Sequence, residues 1–163
     1  MKKLLILSTG GTFNKRYDPL AGELLVDPDA SALHAIITRW LTDVRIQTLI
    51  GKDSLEMDDT DRQTLLESIR SADESSIIVV HGTDTMDQSA ATVAHALLDK
   101  QVVFTGAMVP FYVDPIEATA NLASAIGWAQ AQNTPGVTIA MNGCFGPYAD
   151  VTKDRSRGRF VCT

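Results

Sequence analysis

Apolar runs without alternation recur along the chain at positions 3–8, 45–50, 76–81, 102–105 and 137–141. Each is dense in Val, Ile and Leu, the pattern of strands covered on both faces; a half-wet strand alternates apolar with polar. Between these runs, apolar positions recur at helical spacing instead. Leu33, Ile36, Ile37, Trp40 and Leu41 mark a helix over 29–41, and Leu65, Leu66 and Ile69 mark one over 59–72. An alanine-rich helix is expected over 88–99, with Val93, Leu97 and Leu98 on its apolar side. Another covers 116–132, with Pro115 at its first turn, where a missing N–H costs nothing. Strand and helix in turn give parallel βαβ units. The expected fold class is α/β: a three-layer α/β/α sandwich with a mostly parallel, doubly wound sheet of the Rossmann or flavodoxin kind.

Two segments escape this pattern. Positions 14–27, holding Tyr17, Pro19 and Gly22, read as a long irregular loop, and such loops are often lids. Positions 152–159 are polar and basic before the apolar Phe160-Val161-Cys162, a tail that either adds an edge strand or frays.

Composition narrows the picture. A chain of 163 residues suits one domain, 1–163, with a full core. A net charge of -6 argues against nucleic acid or an anionic membrane as partner. Met1-Lys2-Lys3 resembles the start of a signal peptide, but only Leu4–Leu7 follow before Ser8, short of the usual ~7–15 apolar residues. The segment reads better as a first strand. No stretch approaches the ~20 apolar residues of a membrane span. Cys144 and Cys162 lack CxxC spacing, so free thiols in a reducing cytoplasm are expected.

Candidate chemistry lies where two strands stop. Leu4–Ser8 runs into Thr9-Gly10-Gly11-Thr12, and Ile77–Val80 into His81-Gly82-Thr83-Asp84-Thr85-Met86. Parallel strand ends share one sheet edge, where open α/β folds place ligands. Gly10 and Gly11 fit a plain turn, a phosphate cradle or a site where Thr12 reacts, but Walker A and GxGxxG spacings are absent. Asp84 either caps the helix that begins near Asp87 or carries chemistry. His81, at the end of a buried strand, reads as a hydrogen-bonded core residue. A threonine hydroxyl needs a base, and a desolvated lysine steadied by an aspartate is one. Lys153, in Asp150-Val151-Thr152-Lys153, follows the last strand and a glycine-rich loop within reach of the same edge, or is a solvated lysine of the tail. The scattered His34, His81 and His95 give no metal-ligand spacing.

Together Ser8-Thr9-Gly10-Gly11-Thr12, Asp53-Ser54-Leu55-Glu56-Met57, His81-Gly82-Thr83-Asp84-Thr85-Met86, Phe104-Thr105-Gly106-Ala107-Met108 and Asp150-Val151-Thr152-Lys153 resemble, in order, the motifs of bacterial-type L-asparaginases and related glutaminases. The resemblance implies hydrolysis of a small side-chain amide, asparagine or glutamine, without metal or organic cofactor. It makes Thr12 the nucleophile, with Thr83, Lys153 and Asp84 as an activating set and Tyr17 the nearest match to a lid tyrosine. Gly11, Ser54, Leu55, Gly82 and Ala107 match substrate-holding positions, and backbone N–H groups beside Gly11 or Thr83 match the oxyanion site.

Three departures from the family pattern stand out. The family's C-terminal domain, which supplies an acidic contact to the substrate's amino group from a neighbouring subunit, is expected to be absent. Leu55 stands where many members carry a polar residue. Ala21-Gly22 would place the lid tyrosine nearer Pro19 than Tyr17. The expected protein is a cytoplasmic, homo-oligomeric amidohydrolase of weaker hold on its substrate. The alternatives are a non-catalytic amino-acid-binding or regulatory module, or an amidase for glutamine or an amide on a larger carrier.

Overall fold

The computed structural model describes residues 2–40 and 43–163, so Leu41, at the end of the first expected helix, lies outside the described residues. The first half of the chain forms β1 (Leu4–Gly10), β2 (Lys15–Asp18), β3 (Glu23–Val26), α1 (Ser31–Ile37), β4 (Val44–Lys52) and α2 (Asp59–Ser71). The second half forms β5 (Ser76–Val80), α3 (Met86–His95), β6 (Gln101–Thr105), α4 (Pro115–Ala131), β7 (Gly136–Met141), β8 (Cys144–Pro147), β9 (Val151–Asp154) and β10 (Arg159–Cys162).

The main sheet runs β4-β1-β5-β6-β7-β8, parallel throughout except for β8. Its strands bury both faces. Leu4, Ile6, Ile78, Val80 and Val103 pack with α1 and α4, while Leu5, Leu7, Ile77, Val79 and Phe104 pack with α2 and α3. Apolar side chains on both sides explain the unbroken runs, and the expected three-layer α/β/α sandwich is what forms. Among the described residues no helix is long and apolar enough to cross a membrane.

The order of the strands positions the site. From β1 the chain crosses to β4 on one side, then returns to β5 on the other. Connections that leave in opposite directions open a crevice at the carboxyl ends of β1 and β5. Both Gly-Thr motifs lie there, since Leu4–Ser8 pairs in register with Ser76–Val80.

Several expectations are corrected. Positions 14–27 are mostly a hairpin, β2 against β3, closed where Asp18 Oδ1 accepts the N–H groups of Leu20 and Ala21. This ribbon lies outside the main sheet with mostly exposed side chains, so no apolar run announced it. The basic tail likewise pairs with itself, as β9 and β10, instead of joining the main sheet or fraying. The first helix runs only over Ser31–Ile37: Ala30 before it is left-handed, and the Asp27 carboxylate takes the N–H groups of Asp29 and Ser31 in the turn that leads in. α3 ends at His95, short of 99, and Leu97 just beyond it is left-handed and exposed. β8 was missed, although Asn142-Gly143 between β7 and β8 is a strong hairpin signal. Cys144 and Cys162 are free thiols.

Candidate active site

β1 ends in a close approach of two main chains. Gly11 has φ 73, and a Cβ there would lie 2.4 Å from both Cα and N of Gly82. Gly82 has no more room: its Cβ would fall 2.5 Å from Cβ and Oγ of Ser54. Only glycine at both places lets β1, β5 and the turn after β4 converge. Gly11 also donates its N–H to Lys52 O at 3.0 Å, so that donor is spent on structure. Thr12 follows directly, half-buried at the start of a 3₁₀ turn. Among the described residues, the N–H groups of Thr12 and Thr83 donate no hydrogen bond.

The Ser54 turn is built by its neighbours. Asp53 Oδ1 accepts the Leu55 N–H, and Glu56 returns a bond to the Asp53 N–H. Lys15 of the β2–β3 hairpin bonds the other oxygen of Asp53. Burial pushes the Asp53 carboxyl up, but the bonds from Lys15 and the Leu55 N–H outweigh it and hold it below the usual range. Thr85 Oγ1 donates to Ser54 O at 2.8 Å, a tie that sequence reasoning missed. Ser54 Oγ itself is buried with no hydrogen-bond partner in the described structure. An unsatisfied buried hydroxyl typically costs about 1–3 kcal/mol.

Across the crevice, Lys153 Nζ donates to Thr83 Oγ1 at 2.8 Å and to Asp84 Oδ1 at 2.9 Å. Thr83 is only 6% exposed, which shields this contact from solvent. The Asp84 carboxylate does not cap α3, whose N-cap is Thr85. Arg155, which sequence reasoning left in the basic tail, donates to the same Oδ1 at 2.6 Å and to Asp84 O at 3.3 Å. The Lys153 bond, and after the opposing effect of burial the Arg155 bond, hold the Asp84 carboxyl below its usual range. Asp84 is therefore a carboxylate shared by two cations.

The remaining positions are more dispersed. Ala107 is buried in the loop after β6. Leu55 is exposed beside the buried Ser54. Tyr17 is 62% exposed on β2, in a cleft lined by Arg16, Asp18, Leu20 and Leu25, and not among the residues around Thr83 and Lys153. Among the described residues no three His, Cys, Asp or Glu side chains cluster as metal ligands.

His81 is a core residue. Its Nδ1–H donates to Gly82 O at 2.7 Å, so Nε2 accepts from Ser89 Oγ at 2.8 Å and the ring is neutral. Complete burial pushes its pKa down to about 4. The unfolded chain protonates this ring near pH 6.5, so below that pH it binds more protons than the folded one. Stability from His81 is therefore complete above 6.5 and lost as pH falls to 4, by about 3 kcal/mol. Denaturant unfolding at pH 7 and pH 4 should show this loss, and His81→Asn should flatten it. An equal slope in the variant would refute the assignment.

The fold and the site together define an α/β domain with a threonine–lysine–aspartate cluster at its topological switch point. Residues 3–160 match the family model "Asparaginase, N-terminal", and the chain belongs to that family. An L-asparaginase of Thermococcus kodakarensis is 28% identical over 144 residues, covering 85% of this chain and 43% of that protein. One component of the glutamyl-tRNA(Gln) amidotransferase of Thermofilum pendens is 31% identical over 114 residues, 64% of this chain and 25% of that one. Among solved structures, the thermostable L-asparaginase from T. kodakarensis superposes with a TM-score of 0.81 at 25% identity, over 98% of this chain and 51% of that one. A probable cytoplasmic L-asparaginase from Campylobacter jejuni gives 0.80 at 28% identity, over 99% and 53%. The chain thus spans about a quarter to a half of the length of these relatives.

Proposed function

We propose that this domain hydrolyses the side-chain amide of L-asparagine to L-aspartate and ammonia through a threonine ester. The observation that carries the proposal is Lys153 Nζ, 2.8 Å from Thr83 Oγ1 and 2.9 Å from Asp84 Oδ1, across the switch point from Thr12. Thr12 Oγ attacks the amide carbon, ammonia leaves, and water cleaves the ester to give the acid and free Thr12. The proton that Thr12 gives up passes by way of Thr83 and Lys153, acting as base and acid in turn, to the departing nitrogen, and Asp84 holds Nζ in place. The unengaged N–H groups of Thr12 and Thr83 stabilise the oxyanion, a contribution of about 3–4 kcal/mol per donor in comparable sites. The orphan hydroxyl of Ser54 gains a partner when substrate binds. Leu55 beside Ser54 and Arg155 beside Asp84 are both exposed, which fits a wall completed by a second copy.

Ammonia and aspartate should appear in equal amounts from L-asparagine. Lys153→Met should slow release by about 10²–10³-fold, the scale of a lost general base, while Arg155 still pairs Asp84. Turnover in the variant equal to wild type would refute the role of Lys153. The likeness to a component of a glutamyl-tRNA(Gln) amidotransferase favours a second reading, an amide carried on a larger molecule. Release from such a carrier, but not from free asparagine, would replace the first reading.

A further inference from the structure

The hairpin that carries Lys153 is not part of the main sheet, since β9 and β10 pair with each other. A side chain anchors it. Phe160, which pairs with Lys153 in the hairpin register, donates its N–H to Asn142 Oδ1 at 3.0 Å. Asn142 stands in the β7–β8 turn with φ 52, a left-handed conformation that asparagine tolerates better than most residues. Its backbone N–H donates to Asn121 Oδ1, and its Nδ2 donates to Glu117 Oε1, both at 3.0 Å.

These two partners reach the other side of the site. Asn121 Nδ2 donates to Gly106 O at 3.0 Å. Glu117 accepts the N–H groups of Met108 and Val109, at 3.0 and 2.9 Å, just beyond Ala107. One carboxamide therefore touches the lysine hairpin through its oxygen and, by way of Glu117, the Ala107 loop through its nitrogen.

We propose that Asn142 is a positioning residue that locks the lysine hairpin to the Ala107 loop and so fixes Lys153 Nζ on Thr83. The kinetic part of this role rests on the proposed function; the lock itself does not. A turn role alone would be met by any residue that accepts a left-handed backbone, and glycine does so freely. Asn142→Gly separates the two, because it keeps the turn and removes both side-chain bonds.

The test combines hydrogen–deuterium exchange with steady-state ammonia release on the full chain. In Asn142→Gly, exchange over residues 151–162 should rise at least tenfold, while β1 keeps its protection. The kcat for asparagine should fall about 10–100-fold, the cost of a displacement on the order of 1 Å, with KM within about threefold. Unchanged exchange over 151–162 overturns the lock, and so does an equal rise across β1, the mark of general destabilisation. Unchanged kcat in an active protein overturns the positioning role. If wild type releases no ammonia, the proposed function falls, and the exchange result still decides the lock.

Discussion

Thr12→Val is expected to lower ammonia release by about ten-thousand-fold or more, with melting temperature and sheet content unchanged. Valine matches threonine in shape and keeps its β-branched preference, so the half-buried 3₁₀ turn at Thr12–Asn14 should survive. The variant loses only the hydroxyl. In the proposed route that hydroxyl forms the bond to substrate, and no neighbour replaces it: Ser54 Oγ has no hydrogen-bond partner to take its proton, and Thr83 Oγ1 is engaged by Lys153. The loss should exceed that of Lys153→Met, because removing a base slows a step whereas removing the nucleophile deletes it. The double variant should be no slower than Thr12→Val alone, since residues acting as a unit are non-additive. Ammonia measured over hours with asparagine in excess decides the matter. Residual turnover near the wild-type rate would remove Thr12 as nucleophile and move that role to Thr83 or to water.

Gly11→Ala should destabilise the fold by at least about 3 kcal/mol and abolish turnover with it. Two costs combine. With φ 73 and ψ -176, Gly11 sits in a region almost reserved for glycine, which costs alanine about 1–3 kcal/mol. The new methyl would also sit 2.4 Å from the Gly82 backbone, which has no flexible end to move aside. Relief requires the ends of β1 and β5 to part, which takes Thr12 away from Thr83. Gly22→Ala separates these costs: φ is again 73, but nothing lies within 4 Å of the added methyl. That variant should lose only about 1 kcal/mol in denaturant unfolding. Similar losses in the two variants would show that strain alone acts at Gly11 and that the strand ends are not closely packed.

The central strands and the helices were legible because burial on two faces leaves a local mark. Ile77–Val80 and Leu4–Leu7 are apolar at every position since each face of the sheet meets a helix. The two hairpins outside the main sheet were not legible. β2–β3 exposes most of its side chains, and β9–β10 buries only Val151 and Phe160, so neither has the long unbroken apolar run of the central strands. The candidate site was legible only as residue types and motif order. Its wiring was not: Arg155 on Asp84, Thr85 on the Ser54 turn, and the engaged Gly11 N–H all follow from packing.

By itself the sequence determined the α/β class and the two Gly-Thr strand ends, and its resemblance to a family singled out Thr12, Thr83, Asp84 and Lys153 as candidates. Periodicity and glycine placement record what each short segment must bury or turn around. Tertiary structure alone decided that Lys153 meets Thr83 across 70 residues, that Thr85 ties down the Ser54 turn, and that Asp84 serves two cations. Those outcomes depend on which strands adjoin and in what register. Strand order carries no local periodicity, and a polar side chain shows its partner only when the chain between them has folded.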